Sequence, residues 1–260
     1  MFGKIKTAIR TAKEFGWHGI VHKLRTRYHL PIPQSAKSTW KAGIAEELAW
    51  WDEALASGRL ADQLDPNRPL QERIAALLPP DDCRTVTILD VGSGPLTWIG
   101  PACPGRTIKI VAVDALSDEY AKLLAKHSVT PLVQSRRLEA EKLAECFAPG
   151  TFDLVFARNC MDHSYNPEQA ILQMVDVVKP GCFVLLEHHP DEGERVGYVG
   201  LHQWNFAMNE EGEFIIKSRN GQVNMSRKYA QMCRITCEVI EDDYKWLITR
   251  ILKQQQTVGD

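Results

Sequence analysis

VTILDVGSGPLTWIG, residues 86 to 100, decides how the rest of the chain is read. Val86, Ile88 and Leu89 form a short apolar run that ends in Asp90, after which Gly92 and Gly94 bracket Ser93. This pattern predicts a buried parallel strand entering a glycine turn. Glycine permits positive φ and close ligand approach, and a turn opening toward a helix leaves free N–H groups. A nucleotide-like ligand is therefore expected at this turn.

Two nucleotide readings compete for it. A dinucleotide fingerprint wants a third glycine at position 97, where Thr97 stands, and Pro95 directly follows the second glycine. Asp90 would repel a pyrophosphate but suits a ribose or a cationic amino acid. About twenty residues beyond Gly94, a second apolar run, Ile108 to Val113, ends in Asp114, placed to accept both ribose hydroxyls of an adenosine.

On these residues the chain resembles the class I S-adenosylmethionine (SAM) dependent methyltransferases, of the type 11-like, small-molecule or glycan-tailoring kind. The likeness runs from about Val86 to Glu187. It implies an α/β fold, a doubly wound Rossmann-like sheet of seven strands whose last pair is antiparallel, carrying an N-terminal helical extension. It also implies SAM as cofactor, with Asp90, Gly92 and Gly94 around the methionine half, Asp114 on the ribose and Leu116 against the adenine. Arg136 to Glu141 resembles the segment that meets the adenine edge, with Glu139 or Glu141 as acceptor and Ala140 as backbone donor. Asn159, after the fourth strand Phe152 to Phe156, is implied to touch the cofactor.

The 260 residues, 44% of them apolar, suffice for one catalytic domain with additions. A net charge of -2 gives no overall pull toward nucleic acid. Seven cysteines without a C-x-x-C pair are read as reduced thiols of a cytoplasmic protein. No apolar run approaches the ~20 residues of a membrane span.

Three segments are expected: a basic extension over residues 1–37, a helical lid over 38–82, and the catalytic domain over 83–260 with a loop and hairpin insertion at about 188–230. In residues 1–30, seven basic side chains face only Glu14, and Phe2, Ile5, Ile9 and Ala12 share one helical face. Such a helix suits an anionic membrane surface, or packs on the domain with its basic face solvated. Ser38 is placed to cap a helix from Thr39 to about Leu55, whose tryptophans suit core, subunit contact or a substrate wall. The helix after the glycine turn must be short, ended by Pro101, Pro104 and Gly105. Thr130 to Gln134 is expected as the third strand. Asn166-Pro167 reads as the start of a helix, Arg219-Asn-Gly221 as a hairpin turn, and Cys233 to Ile240 with Lys245 to Leu252 as the closing antiparallel pair.

Methyl transfer from a sulfonium is an in-line displacement, so the protein must hold a nucleophile close to the methyl and, for a hydroxyl acceptor, receive its proton. His163 beside Asp162 is one candidate base; His188, His189 and His202 are its rivals, with His188 and Asp162 also read as facing substrate and Trp204 and Phe206 offering flat faces to it. His188, His189, Asp191 and His202 could alternatively bind a divalent metal that acidifies a sugar diol, but their spacing matches no strong metal motif, and no metal ligand is assigned. Arg158-Asn-Cys-Met161 stands where amino-methylating DNA enzymes carry Asn-Pro-Pro-aromatic, and no basic stripe crosses the core. The expected partner is a small-molecule acceptor such as a hydroxyl of a sugar, glycan or lipid-linked metabolite, without nucleic acid and with a peripheral membrane contact through residues 1–30. The competing readings are a SAM-binding scaffold without catalysis and a nicotinamide-dependent oxidoreductase.

Overall fold

A computed structural model of the protein describes residues 36–80, 85–241 and 244–255. The basic segment 1–30 lies outside the described residues.

The quoted stretch supplies β1 (Thr85–Val91), the centre of the sheet. On one side it pairs in parallel with β3 (Arg106–Asp114), and on the other with β5 (Phe152–Arg158). β6 (Val178–His188) runs parallel to β5; β11 (Lys245–Lys253) is antiparallel to β6, and β10 (Cys233–Glu241) antiparallel to β11. The order β10-β11-β6-β5-β1-β3 is completed by the two-residue β4 (Arg136–Arg137) beside β3 and a short antiparallel piece, β2 (Ala102–Cys103). This is a Rossmann-like α/β sheet with an antiparallel closing pair.

Period-two alternation explains why these strands read as continuous apolar runs. Val86 and Ile88 face a core shared with Leu154, Phe156, Leu185 and Ile74 of the one-turn helix α2 (Glu72–Ala75). Leu89 and Val91 face the opposite core, where Val155 and Val184 meet Ile171 and Met174. Those last two belong to α4 (Pro167–Val177), which starts as expected: the Asn166 side chain accepts the Gln169 N–H at 3.1 Å, and Pro167 has no N–H to satisfy. The insertion carries a three-stranded sheet of β7 (Asn205–Met208), β8 (Phe214–Ser218) and β9 (Gly221–Asn224), turning at Arg219-Asn220. It seals the second face with Phe206, Phe214 and Ile216.

Three expectations need correction. The N-terminal helix α1 spans Ala36–Ala56, so Ser38 lies within its first turn and does not precede it. No helix follows the glycine turn. Its backbone groups go elsewhere: Arg68 Nη2 donates to Thr97 O (3.0 Å), Gln71 Nε2 to Trp98 O (2.5 Å), and the Gly100 and Ala102 N–H groups to Gln71 Oε1 (3.2 Å) and Arg68 O (3.1 Å). These backbone groups are thereby satisfied without a helix ladder. The third strand is not Thr130 to Gln134 but β4, which pairs Arg136 with Val113 and Arg137 with Asp114. Pro131 has no N–H for a ladder, and pairing starts beyond it. Between β3 and β4 runs α3 (Ser117–Lys126), which packs Leu124 against Ala54 and Leu55 of α1.

Candidate active site

A cavity with about 770 Å³ of empty space opens at the carboxyl ends of β1, β3 and β5, where the strand order switches direction. The glycine turn forms its floor. Gly92 and Gly94 have φ of 67° and 63°. A Cβ on Gly92 would sit 2.5 Å from Cys160 Sγ, and one on Gly94 2.7 Å from the Trp51 ring. Only glycine fits either place.

Asp114, at the end of β3, is fixed by the backbone: Oδ2 accepts the Gly94 N–H at 3.0 Å and Oδ1 the Leu116 N–H at 2.8 Å. Burial pushes its carboxyl up to about 6 against the pull of those two bonds, and the nearby Glu47 carboxylate adds to the rise. Each oxygen keeps a lone pair for a ligand hydroxyl on the cavity side. Asp90 behaves differently. Its Oδ2 accepts the Thr97 hydroxyl at 2.5 Å, burial pushes it up to about 7, and it is not part of the cavity wall. Its role in the fold is to hold the turn; Thr97, where a third glycine was sought, supplies the bond.

Leu116, Leu138, Glu139, Ala140 and Glu141 line one end of the cavity. Glu141 Oε1 accepts the N–H groups of Tyr165 and Asn166, both at 3.0 Å, so this carboxylate holds the neighbouring loop. Glu139 Oε2 accepts the Tyr165 hydroxyl at 2.8 Å. At the end of β5, Asn159 takes a left-handed conformation (φ 45°), with its N–H donating to Glu187 O at 2.7 Å and its Oδ1 accepting the His189 N–H at 3.3 Å. Asn159 lines the cavity.

The candidate histidines separate sharply. His163 lines the cavity. Its Nε2 lies 3.1 Å from His202 Nδ1, which is in turn 2.6 Å from Asp162 Oδ2. Asp162 is 1% exposed. Burial opposes charge on both partners, yet their attraction prevails: Asp162 is held well below the usual carboxylate range by His163 and His202, and His202 is raised to about 9 by Asp162. His188 is buried beside Phe206; its Nε2 accepts the Met161 N–H at 3.3 Å, and burial pulls it down to about 4. His189 stacks on Trp246 with Nδ1 3.1 Å from Lys245 O. Neither His188 nor His189 is on the cavity wall, and Trp204 and Phe206 are not either. Trp204 donates Nε1–H to Ser164 O at 2.9 Å and packs on the core, while Phe206 is 1% exposed.

Helix α1 closes the cavity from above with Trp40, Glu47 and Trp51. Glu47 Oε1 accepts Trp51 Nε1–H at 2.8 Å, and Oε2 is 3.8 Å from His163 Nδ1. Arg158, at the mouth, pairs with Glu187 at 2.5 Å between the rings of Trp98 (4.7 Å) and Trp246 (4.2 Å).

Residues 89–186 match the family described as a methyltransferase domain. The match covers less than half of the chain. A ubiquinone biosynthesis O-methyltransferase of Paracidovorax citrulli (strain AAC00-1) is 32% identical over 98 residues, which are 37% of this chain and 41% of that protein. The match thus spans about two fifths of the relative's length. Among solved structures, the chain is similar to a SAM-dependent methyltransferase of Aquifex aeolicus, at 15% identity and a TM-score of 0.42 over 77% of this chain and 98% of that one. It is also similar to a phosphoethanolamine N-methyltransferase of Haemonchus contortus held with phosphomonomethylethanolamine and S-adenosylhomocysteine, at 16% identity and a TM-score of 0.47 over 70% and 51%.

The matched segment contains the cavity floor but not its roof. Glu47, Trp40 and Trp51 precede it, and His202 follows it. Sequence reasoning passed over Glu47 because a glutamate inside an amphipathic helix is normally solvated. Arg158, Trp98 and Tyr120 were also missed as wall residues. Residues 46–51 of α1 held a signal, since Glu47 and Trp51, four residues apart, share one face.

Proposed function

We propose that the protein is a SAM-dependent methyltransferase that moves a methyl group to a hydroxyl of a small-molecule acceptor. The observation that carries this reading is the convergence, in one cavity, of the glycine turn, the backbone-fixed Asp114 and His163. Asp114 takes the two ribose hydroxyls, Gly92 and Gly94 let the chain approach the amino-acid moiety, and Leu116, Leu138 and Ala140 cover the adenine, with Asn159 beside it. When bound, the cofactor supplies an electrophilic methyl. The remaining work is positional: the walls hold the acceptor oxygen in line with that methyl, and α1 excludes water. The acceptor proton is lost at the Asp162–His163–His202 cluster, His163 being the member that faces the cavity.

For the acceptor we favour a hydroxyl on a sugar, glycan or lipid-linked metabolite. Trp40 and Trp98 give the cavity flat walls suited to a ring, and the basic segment 1–30 suits a lipid-borne substrate at a membrane surface. Among the described residues no helix is long and apolar enough to cross a membrane, and the contact we propose through residues 1–30 is a peripheral one. We assign 38–82 as the lid and 83–260 as the catalytic domain.

The test is calorimetry of S-adenosylhomocysteine and NADH on wild type and Asp114→Ala. Micromolar binding of the sulfur ligand, lost in Asp114→Ala, is expected. NADH binding without it would replace this reading with the oxidoreductase one, and failure of labelled-methyl turnover across hydroxylated acceptors would favour a scaffold. Deleting residues 1–30 should release the protein from anionic liposomes; unchanged partitioning would remove the membrane contact.

A further inference from the structure

We infer that Asp162, His163 and His202 form a binding site for one divalent transition-metal ion, of the zinc type. The inference rests on the methyltransferase reading only for its consequence, not for the site. Three ligand atoms converge here: His163 Nε2 to His202 Nδ1 is 3.1 Å, His202 Nδ1 to Asp162 Oδ2 is 2.6 Å, and His163 Nε2 to Asp162 Oδ2 is 3.6 Å. A circle through these atoms has a radius of about 1.8 Å, so a point about 2.1 Å from all three, the ordinary zinc–ligand distance, lies about 1 Å off their plane. No atom need move far to ligate.

Hydrogen bonding alone leaves the cluster incomplete. His202 Nδ1 lies against both Asp162 Oδ2 and His163 Nε2, and a ring nitrogen carries at most one hydrogen, so it cannot give each its own. The second carboxylate oxygen, Asp162 Oδ1, is buried and has no hydrogen-bond partner among the described residues. An unpartnered carboxylate oxygen that deep is costly. A cation held through Asp162 Oδ2 would neutralise this carboxylate and take the ring-nitrogen lone pairs of His163 and His202.

The donor set selects the ion. Two imidazoles and one carboxylate suit zinc and its transition-metal neighbours, whereas magnesium prefers an all-oxygen shell. The far nitrogen of His163, Nδ1, faces the Glu47 carboxylate at 3.8 Å, a charge contact beyond hydrogen-bond distance. Three protein ligands leave a position open, and His163 places the cluster against the cavity. An acceptor hydroxyl coordinated there would lose its proton to water near neutral pH. Its oxygen pair would form the bond to the methyl carbon while the carbon–sulfur pair returns to sulfur. Sequence spacing misses the site because two ligands are adjacent and the third comes about forty residues later.

The experiment uses the full chain stripped with EDTA and titrated with Zn²⁺, Co²⁺ or Mg²⁺, with S-adenosylhomocysteine binding followed in parallel. One Zn²⁺ per chain at micromolar affinity or better is expected, with no uptake of Mg²⁺ and a visible Co²⁺ spectrum typical of histidine ligation. His202→Gln and Asp162→Asn should each weaken Zn²⁺ at least 100-fold and leave S-adenosylhomocysteine affinity within about threefold. Should a variant fail to fold, the wild-type Co²⁺ spectrum decides. No Zn²⁺ uptake by wild type, a Co²⁺ spectrum without histidine ligation, or uptake indifferent to both substitutions would overturn the site. Intact S-adenosylhomocysteine binding in that case leaves the methyltransferase reading standing, whereas its absence beside intact Zn²⁺ binding removes that reading alone.

Discussion

The two halves of the cavity are built by different means. The half around Gly92, Gly94 and Asp114 comes from two adjacent strands and the turn between them, and its contacts are made with backbone N–H groups. The other half is made of side chains brought from α1, from the turn after β5 and from the insertion, and its contacts run between charges. Backbone geometry tolerates changes in distant sequence; a cluster of side chains depends on every element that delivers one. The first half should therefore fail through affinity and the second through turnover.

The largest effect expected is on turnover. His163→Ala should lower kcat by about 100- to 1,000-fold with S-adenosylhomocysteine affinity within about threefold, as steady-state kinetics and calorimetry would record. Comparable losses in both quantities would erase the contrast between the halves. Asp114→Ala should do the reverse, weakening S-adenosylhomocysteine about 100-fold, consistent with the loss of two hydrogen bonds to a charged acceptor.

Asp90→Asn probes a carboxylate that shapes the turn without touching the cavity. Its folded pKa, about 7, lies above the unfolded value of 3.8, so between those values the native state binds more protons and stability falls as pH rises. Asparagine keeps an acceptor for Thr97 without the buried charge. The variant should be more stable than wild type at pH 8, by on the order of 2 to 4 kcal/mol, and little different at pH 4, in urea denaturation at each pH. An equal effect at both would show that desolvation is not the cause.

Gly94→Ala combines a left-handed φ with a clash against Trp51. It should weaken S-adenosylhomocysteine about tenfold, with part of the loss recovered in a Trp51→Leu background; no recovery would mean that the helix roof does not confine the turn. An effect of the same size is one of pH. Asp114 takes up its proton at about 6, so S-adenosylhomocysteine affinity should fall about tenfold from pH 7 to pH 5, and Asp114→Asn should flatten that dependence.

Sequence legibility followed the same division. β1, β3, β5, β6 and the closing pair were readable because each is an apolar run buried on both faces or an alternating edge. The hairpin at Arg219-Asn220 and the start of α4 were readable from two or three residues each. The missing helix after Gly94 was not, since the partners of its backbone, Arg68 and Gln71, lie about thirty residues upstream. The retreat of the third strand to Arg136 depended likewise on where β3 ended. Among the histidines, type and spacing did not separate the buried His188 from the cavity-facing His163.

By itself the sequence determined the sheet, the glycine turn and the acid that ends β3, because local pattern and backbone geometry suffice for each. Only the tertiary structure decided which carboxylates and histidines face the cavity. It turned Asp90 inward to Thr97, brought Glu47 down from α1 and set His202 against Asp162. The physical reason is range: strand pairing and turns are fixed by neighbours in the chain, whereas a charge cluster is fixed by packing between segments that carry no mark of one another.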